Sequence, residues 1–385
     1  MRKTRSFFAG VLVGALVIAG AGYLKPSGEK GGLINAETQE KVAVLHDMIE
    51  EKYLNAGDVK QSAMMDGVLK GYMSGLSDPY SCYYTKQEAK ALLEQTEGRF
   101  AGIGALMSED RKTGEVSIAE VYPETPAEKA GLLKGDVITG VDGEDMVGKP
   151  IADLVKKVRG EKDTTVTLSI LRGSEEKEVK VVRDLIDTPT VLSEMKENHT
   201  GYLRIAEFDE VTTKQFEDAM AKLKKDGMTR LIVDLRGNPG GNLDTVVEIL
   251  RHILPKGKIV TIRDREGRTE VYRSEGKTPL QIPLVVLVNE NSASASEIFA
   301  GAVKDYGLGT LMGQTTFGKG IVQQLYPLKD GTMVKLTVAE YLTPKGINIH
   351  KKGVQPDVKS EFLFDPQNPT RDTQLEDALA YIKNK

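Results

Sequence analysis

Three serines that alternate with alanines, Ser292, Ser294 and Ser296, follow a predicted buried strand and begin a predicted helix. A serine hydroxyl is a weak nucleophile until a neighbouring base takes its proton. Later in the chain, Lys319 stands among the glycines of segment 313–320, with apolar neighbours. A lysine whose ammonium form is disfavoured by burial can act as that base, so a Ser–Lys pair needs no histidine. The two segments could therefore support nucleophilic acyl transfer.

Both segments also have simpler interpretations. Ser292 or Ser294 could cap the helix, with Glu297 near the capping-box position. The second segment reads G-x-x-x-x-G-K, as in a phosphate-binding loop, but Gly320 stands where a Ser or Thr would bind Mg²⁺. The S-x-x-K motif occurs at 27–30 and 174–177, both in polar linker or hairpin sequence, and no G-x-S-x-G motif occurs.

Composition excludes several other classes of function. The chain has 385 residues and a net charge of −4, so nothing predicts a nucleic-acid surface. Its only cysteine, Cys82, rules out internal disulfides and cysteine-cluster metal sites. Its 4 histidines are far apart and form no H-E-x-x-H pair. The sequence therefore predicts neither a metal nor a cofactor.

The first 25 residues predict export. Arg2, Lys3 and Arg5 precede an apolar run at 7–21, which would span about 22 Å as a helix, a length typical of a signal peptide. Small residues at 19–21 could form a cleavage site. We expect residues 1–25 to be a signal peptide or an N-terminal membrane anchor. The protein would then be extracytoplasmic, in the cell envelope, and either secreted or membrane-anchored.

Segment 36–97 has helical periodicity. Apolar residues recur at three- and four-residue spacing, which is typical of amphipathic helices. We expect these side chains to form core or dimer contacts, so a homodimer through the N-terminal helices is one prediction. The residues are Val42, Leu45, Ile49, Tyr53, Met64, Val68, Tyr72 and Met73.

Segment 98–183 predicts a small peptide-binding domain. Short strands, one of them an alternating run at 116–121, surround two helices, one of them at 151–158. The stretch "TPAEKAGLLKGDVITGVDG" resembles a PDZ domain, and "FAGIGALM" resembles its carboxylate-binding loop. Successive backbone N–H groups at Gly102, Ile103 and Gly104 would bind a terminal carboxylate, and a strand edge would accept the peptide. We expect partners to be protein or peptide substrates with apolar C-termini.

Segment 184–365 alternates strands with helices, which predicts an α/β core, and 366–385 forms a C-terminal helical tail. The apolar strands at 231–235 and 284–288 indicate a sheet that is covered on both faces. Loops 236–241 and 289–296 follow these strands, where ligands of α/β sheets bind.

Motifs in a fixed order resemble the C-terminal processing peptidases, or tail-specific proteases. They are "LSDPYSCYYTKQE", "VDLRGNPGG", "VNENSASASEIFAGAVKDYG", "GQTTFGKGIVQQ" and "TPKGINIHKKGVQPDV". The resemblance implies an α/β fold with α+β elements, in which a crotonase-like core carries an inserted PDZ domain and N-terminal helices. It implies Ser294 as nucleophile, Lys319 as base, Gln323 as the residue that orients the lysine, and Gly240 and Ala295 as oxyanion-hole donors. The implied activity is serine endopeptidase cleavage through an acyl-enzyme.

Two other classes of function remain open. One is a catalytically inactive, membrane-anchored PDZ adaptor, which the intact Ser–Lys–Gln set disfavours. The other is a crotonase-like acyl or thioester enzyme, which the PDZ insertion disfavours because a small acyl substrate needs no receptor for a peptide end.

Overall fold

The computed structural model describes residues 35–110 and 112–385, together with the backbone of Leu16–Ile18. Apart from that short strand, the predicted signal or anchor segment 1–25 lies outside the described residues. The described residues form two compact units. The first comprises those up to Leu92 together with Ser193–Phe208 and Met220–Lys385, and the second comprises Leu93–Leu192 and Asp209–Ala219. Within the described residues, no helix has the length and hydropathy needed to cross a bilayer.

The helices and strands have the following bounds, each set in chain order. The helices are α1 (Ala36–Lys52), α2 (Gln61–Ser74), α3 (Lys86–Glu97), α4 (Pro126–Lys129), α5 (Ile151–Val158), α6 (Thr212–Lys225), α7 (Leu243–Arg251), α8 (Ala295–Tyr306) and α9 (Thr373–Ile382). The strands are β1 (Leu16–Ile18), β2 (Cys82–Tyr84), β3 (Arg99–Gly102), β4 (Ala105–Glu109), β5 (Val116–Val121), β6 (Val137–Val141), β7 (Glu144–Asp145), β8 (Thr165–Arg172), β9 (Glu175–Val182), β10 (Asp184–Asp187), β11 (Val191–Lys196), β12 (Thr200–Ile205), β13 (Arg230–Asp234), β14 (Gly257–Asp264), β15 (Thr269–Ser274), β16 (Leu284–Val288), β17 (Thr310–Gly313), β18 (Ile321–Pro327), β19 (Met333–Leu342) and β20 (Val358–Lys359).

A parallel sheet lies at the centre of the first unit. Strands β12, β13, β16, β17 and β20 pair side by side in that order. Helix α9 covers one face, where Ala378 and Ile382 pack against Ile232 and Val285. The remaining apolar residues of β13 and β16 are also buried, which explains why both strands are almost continuously apolar. Because parallel strands end at the same edge, the loops after β13 and β16 are neighbours.

An antiparallel sheet in the same unit carries the second half of the site. Strands β18, β19, β14 and β15 pair in that order, with β1 on the outer edge of β18. The short strand β2 pairs with β19, and Cys82 lies opposite Lys335. This pairing brings the chain segment just before β2 against strands that come far later in the sequence.

Helices α1 and α2 correct one expectation about their apolar residues. The helical periodicity of segment 36–97 is confirmed in α1 and α2, but neither helix has a buried residue. Leu45 is 59% exposed and Tyr72 is 54% exposed. Most of these apolar side chains therefore form no core contacts within the described residues, and Ile49 and Met73 are only partly buried, so core contact, one of the two expected roles, is not met. Periodicity shows that a helix has an apolar face, but not what covers that face.

The second unit is built on a five-strand path, β4-β5-β6-β8-β9, with β7 beside β6. Its core contains Ile118, Leu154, Val166 and Leu168, so α5 packs with its apolar face on this sheet. Strand β4 is at the edge of the sheet, and β3 pairs with β10 in a separate ribbon. The predicted strand at 116–121 and the predicted helix at 151–158 have these bounds in the structure.

Candidate active site

Ser294 lies at the N-cap position of α8, in the turn between β16 and that helix. Its side chain is completely buried, and its backbone has a φ of 54°, a region that side-chain-bearing residues rarely adopt. Such strain persists only where surrounding contacts enforce it, and it is concentrated at functional sites. The helix start also provides backbone N–H groups that have no partner within the helix.

The two neighbouring serines have structural contacts. The hydroxyl of Ser292 donates to the carbonyl oxygen of Leu235 at 2.8 Å. The hydroxyl of Ser296 donates to the carbonyl oxygen of Asn238 at 3.0 Å. Both bonds join the loop after β16 to the loop after β13. Ser292 and Ser296 therefore hold the two loops together.

Glu297 ties the Ser294 turn to the loop that contains Lys319. One carboxylate oxygen accepts the backbone N–H of Ser294 at 2.9 Å and that of Lys319 at 2.8 Å. The other accepts the N–H of Gly318 at 2.7 Å and the hydroxyl of Thr316 at 2.5 Å. Burial raises the pKa of Glu297, and these four hydrogen bonds oppose that effect. Glu297 therefore makes the capping contact that the sequence left open as an alternative, and the same carboxylate also holds the lysine loop.

Lys319 is a completely buried lysine. Burial is the main cause that lowers its pKa from 10.5 to about 7, and the positive charge of Lys335 acts in the same direction. The carboxylates of Asp78 and Glu297 oppose the shift. With a pKa near 7, a large fraction of the amine is neutral at neutral pH, as a general base requires.

Gln323 lies two residues into β18 and is also completely buried. Its amide nitrogen donates to the hydroxyl of Thr337 at 3.1 Å. Its amide oxygen has no hydrogen-bond partner within the described residues. The hydrogen bond from Lys319 that an orienting role requires is therefore not formed in this conformation.

Gly240 approaches the Ser294 turn more closely than any other residue type could. A methyl group in place of its hydrogen would lie 2.9 Å from the β-carbon of Ser294 and 3.0 Å from the nitrogen of Ala295. Its φ of 111° also favours glycine. Its N–H donates to the side-chain oxygen of Asn238 at 2.8 Å. Ala295 is the first residue of α8, where an N–H has no acceptor within the helix.

Several side chains at this site were not predicted from the sequence. Asp78, Tyr80 and Ser81 precede β2, and their only sequence signal was a turn in the motif "LSDPYSCYYTKQE". Tyr341 of β19 donates its hydroxyl to the carbonyl oxygen of Ser294 at 3.1 Å. Asn238 accepts from Gly240 and donates to Ile205 from a fully buried position. These contacts depend on strand pairing and loop packing that local sequence does not encode.

The predicted carboxylate loop lies in the second unit. Gly102 ends β3, Ile103 is buried, and Gly104 precedes the edge strand β4. Gly104 has a φ of 81°, and a methyl group there would lie 2.4 Å from Thr125, so only glycine fits. The Thr125 hydroxyl donates to the carbonyl oxygens of Tyr122 and Gly104. The loop is thus braced where an extended peptide could add to β4.

Groups of three or more acidic, histidine or cysteine side chains that could hold a metal do not occur within residues 35–110 and 112–385. The side chains at the Ser294 site are a buried serine, a buried lysine, the buried carboxylate of Glu297 and neutral amides. This set suits proton transfer and acyl chemistry.

Comparison with known proteins defines the class as a serine-type peptidase. The model of Peptidase family S41 matches residues 199–360, a PDZ domain model matches 117–172, and the model of the activating protease CtpB N-terminal domain matches 24–88. A probable CtpA-like serine protease from Staphylococcus haemolyticus is 39% identical, over 93% of this chain and 73% of that protein. The carboxy-terminal processing protease CtpA of Bacillus subtilis is 37% identical, over 94% of this chain and 78% of that protein.

Among solved structures, the putative S41 protease from Bacteroides fragilis shares the fold. It has a TM-score of 0.54 at 17% identity and covers 89% of this chain and 97% of its own. The photosystem II D1 C-terminal processing protease is 31% identical, with a TM-score of 0.49, over 83% of this chain and 86% of its own. On the strength of the curated relatives, the chain belongs to the C-terminal processing peptidases of family S41 that carry a PDZ domain. The expected family, fold class and enzyme class are confirmed.

Proposed function

We propose that this peptidase is an exported endopeptidase that works through Ser294 and Lys319. The hydroxyl oxygen of Ser294 attacks a peptide carbonyl, and the neutral amine of Lys319 takes the proton and passes it to the leaving amine. Water then hydrolyses the ester to Ser294. The N–H of Ala295 stabilises the oxyanion. Gly240 is the second donor once its N–H is no longer bonded to the side-chain oxygen of Asn238, and Gln323 orients the lysine once its amide oxygen accepts a hydrogen bond from the amine.

The observation that carries this proposal is the buried lysine that is tied to the serine turn. Lys319 has a pKa of about 7, and Glu297 accepts backbone N–H groups from both Lys319 and Ser294. A lysine in water would be almost entirely ammonium at pH 7. A carboxylate at position 323 would further favour the ammonium form of Lys319. The neutral amide of Gln323 is therefore compatible with Lys319 as a base.

The test is cleavage of a fluorogenic peptide by the full chain. Ser294→Ala and Lys319→Arg should both abolish cleavage, because a guanidinium does not deprotonate near neutral pH. The chance S-x-x-K match at 174–177, where Ser174 is exposed, provides the matched controls. Ser174→Ala and Lys177→Arg should leave kcat/KM unchanged. For the unmodified chain, kcat/KM should rise about tenfold per pH unit up to about pH 7 and then level off. A Lys319→Arg variant with a tenth of the normal rate would contradict the proposal.

We also propose that residues 98–183 form the PDZ domain that recognises C-terminal tails. In chain order this domain follows the helical segment 36–97 and precedes the peptidase core at 184–365, which the C-terminal tail at 366–385 follows. Support comes from the braced turn at Gly104 and the edge position of β4. Backbone pairing along β4 tolerates many sequences, so the last apolar side chains of the substrate would determine specificity. A peptide carboxamide should bind more weakly than the same peptide with a free carboxylate.

Export and membrane association are proposed from residues 1–25 alone. Their basic start and apolar run suit a signal peptide or an N-terminal anchor, and this would place the peptidase in the cell envelope. Fractionation of cells that express the full chain, with N-terminal sequencing of the product, would distinguish cleavage from anchoring. A product that stays in the cytoplasm with an intact N-terminus would contradict export.

We propose a homodimer through α1 and α2. Exposed apolar residues on these helices, including Leu45 (59% exposed) and Met48 (56% exposed), would become buried against a second copy. Sedimentation of the full chain should show a dimer, and Leu45→Glu together with Met48→Glu should give a monomer. A wild-type monomer at high protein concentration would refute the proposed dimer.

A further inference from the structure

The turn between α2 and β2 is anchored against the Lys319 site at several points. The carboxylate of Asp78 accepts the Ser81 hydroxyl at 2.5 Å and the backbone N–H of Tyr80 at 3.0 Å. The Ser81 hydroxyl accepts the backbone N–H of Thr337 in β19 at 2.9 Å. Directly after the turn, β2 pairs with β19. The turn is therefore held in place by bonds inside it and by the sheet that carries Gln323.

The anchored turn places the ring of Tyr80 over the amine of Lys319. The lysine nitrogen lies 4.4 Å from the ring centroid. Lys319 is completely buried, whereas Tyr80 is half-buried. One part of the ring thus contacts the amine while another part of the same side chain contacts solvent.

Charged groups face Lys319 from three elements. The carboxylate of Asp78 comes from the turn, that of Glu297 from α8, and the ammonium of Lys335 from β19. The two carboxylates favour the ammonium form of Lys319, and Lys335 disfavours it. Exclusion of water is the largest influence on the amine and favours the neutral form. Residues that keep water away from the amine therefore favour its neutral form.

We propose that Tyr80 is a positioning residue for the catalytic base, whose ring seals the amine of Lys319 from water. This inference rests on the proposed Ser–Lys mechanism. An aromatic ring acts in two opposing ways: its face attracts the ammonium form, and its bulk excludes water. For a pair that is shielded from water, the attraction amounts to a factor of about 30 or more. Burial is the main cause of the net shift in the pKa of Lys319 from 10.5 to about 7, which is a factor of about 3000, so we expect exclusion of water to outweigh the attraction.

The test is the pH dependence of kcat/KM for Tyr80 variants of the full chain, between about pH 6 and about pH 10. Tyr80→Phe keeps the ring, and its profile should match that of the unmodified chain. Tyr80→Leu keeps an apolar cover without an aromatic face, so its midpoint should stay within about one pH unit of the original. Tyr80→Ala admits water, so its midpoint should rise by at least about one pH unit, with a loss of about fivefold or more at pH 7 that high pH restores.

The matched control is Phe364→Ala, which removes an aromatic side chain that is 64% exposed and should leave the profile unchanged. A Tyr80→Ala loss that is the same at every pH, or no loss at all, would overturn the proposal. So would a Tyr80→Phe profile that resembles that of Tyr80→Ala. If Tyr80→Ala does not fold, as judged by circular dichroism, Tyr80→Ser replaces it with the same expected shift.

Lys319→Arg in the same assay separates this proposal from the mechanism on which it rests. Activity in Lys319→Arg would refute the Ser–Lys mechanism itself, whatever the Tyr80 variants do. An inactive Lys319→Arg together with an unshifted Tyr80→Ala would leave the mechanism in place and remove only the role of Tyr80.

Discussion

The buried amine that suits Lys319 to catalysis should also destabilise the fold, and removing it should increase stability. The perturbation is Lys319→Met in a Ser294→Ala background, which prevents self-digestion. Methionine has similar length and no charge, so it fits a buried site. The drop in the pKa of Lys319 from 10.5 to about 7 corresponds to a cost of about 5 kcal/mol for the charged form in the folded chain.

The sign and the pH window follow from linkage. Between about pH 7 and pH 10.5 the unfolded chain binds a proton at Lys319 that the folded chain does not, so stability rises with pH across this window. Below about pH 7 both states are protonated, and the folded chain bears the full cost. Lys319→Met should therefore be more stable by up to about 5 kcal/mol near pH 6, and this advantage should shrink steadily towards pH 10.5.

The assay is urea unfolding followed by circular dichroism at about pH 6 and about pH 10, on the variant and its Ser294→Ala parent. Exposed Lys345 provides the control, since Lys345→Met should change stability by less than about 0.5 kcal/mol, and equally at both pH values. A Lys319→Met chain that is no more stable than its parent near pH 6 would show that burial does not disfavour the ammonium. The argument for a neutral lysine base would then lose its physical basis.

Three further predictions address the loops, the charges and the PDZ domain. Glu297→Gln replaces one of the two acceptor oxygens with a donor, so either the N–H groups of Ser294 and Lys319 or the N–H of Gly318 lose their partner; kcat should fall about tenfold or more, and an unchanged kcat would show that the tie is unimportant. Lys335→Met removes a cation that lowers the pKa of Lys319, so the midpoint of the kcat/KM profile should move to higher pH, and a fixed midpoint would contradict this. An apolar-tailed peptide titrated against full-length Ser294→Ala should lose about 1–3 kcal/mol of binding free energy when its C-terminus is amidated. Equal affinities would mean that the loop at Gly104 does not bind carboxylates.

Local sequence carried much of the information about this peptidase. The apolar runs at β13 and β16 predicted a sheet that is covered on both faces, because only buried strands lack polar alternation. Ser294 and Lys319 were singled out by residue type, by the glycines around the lysine and by motifs in a fixed order. The strand at 116–121 and the helix at 151–158 followed from their periods of two and about 3.6 residues.

Only the tertiary structure decided what surrounds these residues. The sequence around position 319 does not show whether the lysine is buried or exposed. The environment of Lys319 depends on Asp78, Tyr80 and Lys335, which the β2–β19 pairing brings together from distant parts of the chain. The same limit applies to α1 and α2, whose periodicity suits a core or a dimer contact and whose apolar residues are mostly exposed in the single chain. Sequence periodicity records which side chains share a face. Burial, and the pKa that burial sets, depends on what packs against that face, and this is a property of the folded chain.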